Sequence, residues 1–271
     1  MKTVAVKAVG IIGLGKMGGP IARHLSAKGF SVSGYDVSSA AVTRAEKHGI
    51  RIATSPAALT AVSDLVIVVT AFEDQVDEVL FGSDGVVEAP ETGKIVAVAA
   101  TISPTAMRVF GERLEQKGML PLDIPICRGE PAAEAGKLLI VGGGDAEAFQ
   151  LCRPAFSAFA DAIHHLGPIG AGQVGKMVNN LILWACISAN YEGLKIGERL
   201  GVNREAMRTM LLDSSAQNWP LQTRIADLPM PWAEKDMMIV LSEADAARMT
   251  LPLCGVIKEV IKGIKVERGD F

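Results

Sequence analysis

Residues 8–20 read "AVGIIGLGKMGGP". An apolar run comes first. Glycines follow at 13, 15 and 18 in the spacing G-x-G-x-x-G, and then a helical pattern begins. A strand that feeds a glycine turn and a helix brings the helix's free N–H groups and positive dipole end to the turn, where phosphate binds well. Gly13 permits the turn, Gly15 lets a pyrophosphate approach the backbone, and Gly18 allows the helix to pack closely on the strand. Leu14, Lys16 and Met17 fill the turn and count with the glycines as candidate cofactor contacts. Three glycines alone are a weak signal. The strand before them and the helix after them give the motif its weight.

Further apolar runs repeat downstream: "FSVSGYD" (30–36), "DLVIVVTA" (64–71), "GKIVAVAA" (93–100) and "KLLIVGGG" (137–144). They lack alternation, as expected of parallel strands covered on both faces. Helical spacing fills residues 17–28, 38–48 and 104–117, and Ser103 before Pro104 fits N-cap followed by N1. Strands alternating with helices predict a doubly wound parallel α/β sheet. From Gln173 to Arg199 the chain offers one long helix. Beyond it come helices broken by "DSSAQNWP", "DLPMPW" and "TLPL", with no strand. The expected organisation is a nucleotide-binding domain over 1–167 and an all-helical domain over 168–271.

The second strand ends at Asp36, 18 positions after Gly18. There an acidic side chain bonds the adenosine ribose hydroxyls and repels a 2′-phosphate. Val37, Ser38 and Ser39 follow, with no Arg to receive that phosphate, so NAD is expected over NADP. The competing reading of Asp36 is a helix cap. Thr70, at the end of the 64–71 run, is a further candidate cofactor contact.

The stretch "GPIGAGQVGKMVNN" (167–180) sets Lys176, Asn179 and Asn180 at i, i+3 and i+4, one face of a helix, among apolar neighbours. A lone Lys is ordinarily a solvated residue with its stem laid on apolar surface. This one stands where the nucleotide domain ends, and inter-domain clefts are where ligands bind. An amine there can exchange a proton with a substrate hydroxyl. A neighbouring amide can hold the amine or the substrate oxygen without adding charge. With a nicotinamide nearby, the implied reaction is hydride transfer from an alcohol carbon.

Composition excludes several other classes. The chain has 271 residues, 49% of them apolar, so it is not a disordered segment. A net charge of −3 gives no general affinity for nucleic acid or acidic membranes. No apolar run reaches the ~18 residues of a membrane helix. The basic, then apolar N-terminus has no small-residue cleavage site and reads as a first strand rather than a signal peptide. Cys127, Cys152, Cys186 and Cys254 are too scattered for a disulfide framework or a zinc site. A cytoplasmic protein with reduced thiols and no metal is expected. The pair His164-His165 reads as ordinary strand-end residues.

The motifs "GLGKMGGPIA", "TISP", "GAGQVGKMVNN" and "EKDM", in this order over nearly the whole chain, resemble the β-hydroxyacid dehydrogenases. The resemblance implies a Rossmann-like domain, a helical domain forming homodimers or homotetramers, and NAD(P) chemistry on a small anionic substrate without metal. It makes Lys176 the general acid/base and Asn180 a substrate-binding residue. It also makes Thr101 and Lys235 cofactor contacts. Family members often read Asp-Ala-Pro-Val-Ser-Gly-Gly in a loop that grips the substrate carboxylate. Here "DIPICRG" (123–129) keeps Asp123, Pro125 and Gly129 but puts Cys127 and Arg128 in place of Ser and Gly. That departure looks like the sulfolactaldehyde reductase branch, where an Arg binds a sulfonate. Arg128 is therefore a candidate for the substrate's acid group, with Cys127 and Gly129 beside it. Val98 and Ala100, where relatives tend to carry Asp and Ser, suggest a more apolar pocket wall. The ending "ERGDF" suggests a shortened helical cover. Imine reductases share the fold but generally lack the Lys, and a non-catalytic nucleotide sensor would keep the glycine loop but would not need Lys176, Asn180 and Arg128 together.

Overall fold

The computed structural model describes residues 5–223 and 230–269. The first half winds β1 (Ala8–Ile12), α1 (Gly18–Ala27), β2 (Ser31–Tyr35), α2 (Ser39–Glu46), β3 (Arg51–Ile52), α3 (Pro56–Ala61), β4 (Leu65–Val68), α4 (Glu73–Phe81), β5 (Ile95–Val98), α5 (Pro104–Gln116) and β6 (Leu120–Asp123). Then come β7 (Ile126–Cys127), α6 (Gly129–Glu134), β8 (Leu138–Gly144), α7 (Ala146–Phe156) and β9 (Ala160–Gly167). The nine strands form one sheet in the order β3-β2-β1-β4-β5-β6-β8-β7, with β9 on the other edge of β8.

From β3 through β6 every pairing is parallel. The strands are apolar throughout because both faces are covered. Val9, Ile11, Leu65, Ile67, Ile95 and Ala97 pack on one side with Ile21, Leu25, Phe149 and Phe156. Ile12, Val66, Val68, Val96 and Val98 pack on the other with Leu59, Leu80, Met107 and Leu114. Successive residues of each strand therefore enter different cores. Val98 is fully buried in the second of these, so it packs rather than forms an open pocket wall. The Ser103 cap forms as its sequence predicts: its Oγ accepts the Ala106 N–H at 2.9 Å and Pro104 opens α5.

The sheet departs from a wholly parallel one at β8. This strand runs antiparallel to β6 and β7 and parallel to β9. After β6 the chain crosses Pro125, adds the two-residue β7, turns through α6 and returns along the same edge. A same-edge return gives antiparallel pairing, whereas a parallel one needs a longer crossover.

The remaining described elements are helices: α8 (Ala171–Arg199), α9 (Arg204–Leu212), α10 (Trp219–Thr223), α11 (Ala233–Ala246) and α12 (Pro252–Arg268). The break expected at "DLPMPW" falls partly outside the described residues. The chain divides into two compact units, Met1–Lys176 and Met177–Phe271, the division falling inside α8. In the second unit Trp184, Met237, Val240, Cys254, Ile257 and Ile261 form a core, and the Trp184 indole N–H donates to the buried Asp236 carboxylate at 2.9 Å. Among the described residues no helix is long and apolar enough to cross a membrane.

Candidate active site

The glycine turn joins β1 to α1. Gly13 has φ +94° and donates its N–H to the Tyr35 carbonyl at 2.8 Å, which fixes the turn against the end of β2. A Cβ on Gly18 would lie 1.8 Å from the Gly13 carbonyl oxygen, so only Gly lets the helix start this close. Gly15 differs: a Cβ there meets nothing within 4 Å, and the residue is exposed. Helix α1 begins without a side-chain cap and without an acidic residue in its first turn. Asp36 lies beside this turn. Its Oδ2 accepts the Leu14 N–H at 2.6 Å and its Oδ1 accepts the Ser38 N–H at 2.7 Å. The Thr70 backbone borders Gly13, and its Oγ1 is buried with no hydrogen-bond partner among the described residues. An open glycine, an uncapped helix start, an anchored carboxylate and an unpaired hydroxyl fit a dinucleotide. Lys16, in the turn, pairs with Glu130 of α6 at 3.3 Å, and Met17 is half-buried against the first core.

The start of α8 forms a second cluster. Asp123, at the end of β6, is fully buried. Its Oδ1 accepts the Gly170 N–H at 2.8 Å and its Oδ2 the Gln173 N–H at 2.7 Å, so it caps the helix from a strand 47 and 50 residues away. Burial pushes the Asp123 carboxyl above its ordinary range, and these backbone donors pull it part of the way back. Gly172 lets the helix in: a Cβ there would lie 2.5 Å from the Val141 carbonyl oxygen and 2.7 Å from Asp123 Oδ2. Gln173, 1% exposed, donates through Nε2 to the Ala100 carbonyl at 2.8 Å and accepts the Ile102 N–H on Oε1 at 3.2 Å. These bonds bracket Thr101, just past β5. One turn on, the Lys176 amine is 3.8 Å from Cys127 Sγ, and Cys127 is buried at the end of β7.

Arg128 follows in a left-handed conformation, φ +83°, as does Gly129 at φ +75°. The Arg side chain turns to β9: Nη1 donates to the Lys137 carbonyl at 2.9 Å and pairs with the Asp161 carboxylate. Glu130 and Glu134 are the first acidic residues after it in sequence. Glu130 instead meets Lys16, and Glu134 meets Arg23 at 2.5 Å. Both Arg128 hydrogen bonds among the described residues run through Nη1, and the side chain is 34% exposed. In the second unit, the exposed Asn179 donates through Nδ2 to Oδ1 of the buried Asn180 at 2.9 Å. Lys235, in the first turn of α11, has its amine 5.9 Å from the Trp232 ring centre. His165, in β9, contacts the Gly144 carbonyl oxygen at 2.9 Å. Among the described residues no group of His, Cys, Asp and Glu could hold a metal ion. Gln173 and Asp161 were missed in the sequence. The signal for Gln173 was a lone amide three residues before the Lys in an otherwise small and apolar helix start.

The glycine turn at the end of β1, the carboxylate at the end of β2 and a mostly parallel sheet between helical layers define a dinucleotide-binding fold. Residues 8–167 match the model of the NAD binding domain of 6-phosphogluconate dehydrogenase. Residues 170–270 match that of the NAD-binding domain of NADP-dependent 3-hydroxyisobutyrate dehydrogenase. The chain belongs to the β-hydroxyacid dehydrogenase family. It is 31% identical over 255 residues to L-threonate dehydrogenase of Cupriavidus necator, covering 90% of this chain and 86% of that one. It is 29% identical to 3-hydroxyisobutyrate dehydrogenase of Pseudomonas aeruginosa over 90% and 88% of the two chains. The structure of Mycobacterium tuberculosis 3-hydroxyisobutyrate dehydrogenase with L-serine superposes with a TM-score of 0.85 at 26% identity, over 96% and 94% of the chains. The protein is accordingly an NAD(P)-dependent dehydrogenase acting on CH–OH groups. An imine reductase of Streptomyces aurantiacus, 15% identical with a TM-score of 0.68, shares the fold alone.

Proposed function

We propose that the protein is an NAD-dependent dehydrogenase, or in the reverse direction a semialdehyde reductase, of small hydroxy acids, with Lys176 as general acid/base. The observation that carries this reading is the Lys176 amine beside Cys127, in the loop whose next residue, Arg128, is bonded through Nη1. The nicotinamide, when bound, supplies the hydride chemistry. The glycine turn, Asp36, Thr70, Thr101 and Lys235 hold the cofactor. In oxidation Lys176 takes the substrate's hydroxyl proton, and in reduction it returns that proton to the carbonyl oxygen. Asn179 and Asn180 present amides on the Lys176 face of α8 and orient the substrate oxygen. Relatives of this chain are named for L-threonate, L-serine and 3-hydroxyisobutyrate, all small hydroxy acids. NAD+ reduction measured across small hydroxy carboxylates, sulfonates and phosphonates tests the reading. Tight NADH binding with no turnover on any of them would replace it with a nucleotide sensor.

Asp36 favours NAD because its carboxylate is fixed by two backbone N–H groups and the next side chain, Val37, is 90% exposed and apolar. Replacing Asp36 by Ala together with Val37 by Arg removes one repulsive charge and adds a phosphate partner. The ratio of kcat/KM for NADP to that for NAD should rise ~10–100-fold, the scale of one charge-assisted interaction. Steady-state kinetics decide it, and a wild-type enzyme that prefers NADP overturns the assignment.

For Arg128, we infer that Nε and Nη2 receive the substrate's acid group while Asp161 steadies the other side of the guanidinium. Arg128→Ala should raise KM for an acidic substrate ~10–100-fold and leave NADH affinity unchanged. Lys at this position should rescue only in part, since it lacks the fork. If a neutral analogue loses as much as the acid, Arg128 serves only its pair with Asp161.

A further inference from the structure

Gln173 touches neither of the groups to which the chemistry is assigned, yet it joins them. Its carboxamide donates to the Ala100 carbonyl and accepts the Ile102 N–H, and its own backbone N–H is held by Asp123. It precedes Lys176 by three residues, so the two lie on one face of α8. Bracketing one residue from its flanking carbonyl and N–H needs a donor and an acceptor side by side on a neutral group. Gln offers both, whereas Glu has no donor when ionised and Met offers neither.

We propose that Gln173 is a positioning residue that fastens the segment carrying Thr101 to the helix turn before Lys176, so that the cofactor-side loop and the proton-transfer amine are held as one rigid piece. The proposal rests on the acid/base role of Lys176. Reacting groups must be held to within a fraction of an ångström, and a displacement of ~1 Å costs ~10²-fold in rate. A helix start tied only by Asp123 is fixed at its axis but free to shift against residues 100–102. The two carboxamide bonds remove that freedom. Asp123 is itself confined, since a Cβ on Gly143 would lie 2.5 Å from its Oδ1.

The test is a double-mutant cycle read with amide exchange. Gln173→Met keeps the volume and removes both bonds; Gln173→Glu keeps the acceptor and serves where the Met variant does not fold. In the apoprotein, exchange of the Ile102 amide should accelerate while amides of the central strands keep their protection. In the wild-type background Gln173→Met should lower kcat ~10–100-fold, with substrate KM and NADH affinity changed less than ~3-fold. In the Lys176→Ala background it should cost no more than ~2-fold, since no amine remains to be misplaced. Equal losses in the two backgrounds, or a folded Gln173→Met enzyme with wild-type kcat, overturn the proposal. The Lys176→Ala single variant tests the acid/base reading separately: should it keep its rate, that reading fails by itself, and the amide exchange still reports whether Gln173 holds the loop.

Discussion

Lys176→Ala should lose ~10²–10⁴-fold in kcat while binding NADH as tightly as the unaltered protein. The size is that of a positioned general acid/base, and the selectivity follows from where the amine lies. It approaches Cys127 Sγ, at the end of β7. Removing it leaves the helix start intact, because Asp123 and Gln173 anchor that start through other atoms. The melting temperature should therefore hold. Single-turnover rates of NADH formation decide it: a variant keeping more than about a tenth of kcat has no acid/base at position 176.

The second large effect is expected at Gly15. Its neighbour in the motif, Gly18, is closed to any side chain by the Gly13 carbonyl oxygen, and Gly18→Ala should fail to fold well. At Gly15 a Cβ meets no protein atom within 4 Å, and its φ lies outside the left-handed region. Gly15→Val should thus leave the melting temperature of the apoprotein unchanged. The added side chain fills the space through which a pyrophosphate reaches the helix N–H groups. Losing two charge-assisted hydrogen bonds at ~1.5–3 kcal/mol each weakens NADH binding by ~10²–10⁴-fold. Calorimetric titration with NADH measures it. Undiminished affinity in a folded Gly15→Val protein would remove the phosphate from this turn.

What could be read in advance follows the range of the forces involved. The central strands were legible because burial on both faces writes a continuous apolar run into each of them. Helix α5 was legible because its signal is local, a Ser cap followed by Pro. Strands β6 and β7 were not. Pro121 lies inside β6 and Pro125 between the two, and Pro ordinarily argues against an interior strand. Here the Leu120 and Ile124 N–H groups complete the ladder on either side of Pro121, at 2.9 and 2.8 Å. The reversal at β8 depends on which edge the chain returns to, which no periodicity encodes. At the site the sequence put Lys176, Asn179 and Asn180 on one face because helical spacing is local. It could not give Arg128 its partner, 33 residues away in β9, or its left-handed backbone where relatives tend to carry Gly. Nor could it give Gln173 partners more than 70 residues upstream.

Those separations also order the assembly of the molecule. The bonds from Gln173 to residues 100–102 and from Asp123 to the start of α8 close loops of 73, 71, 50 and 47 residues. Closing such loops costs entropy that only an already formed framework can offset. The strand ends that receive α8 exist only after β5, β6 and β8 have paired. The first turns of α8 are therefore expected to dock late, with Lys176 gaining its fixed place once the sheet is complete. A partly folded chain has no ordered amine to work with. In refolding, recovery of turnover should trail recovery of the sheet's far-ultraviolet signal, which makes catalysis the last reporter of the native state.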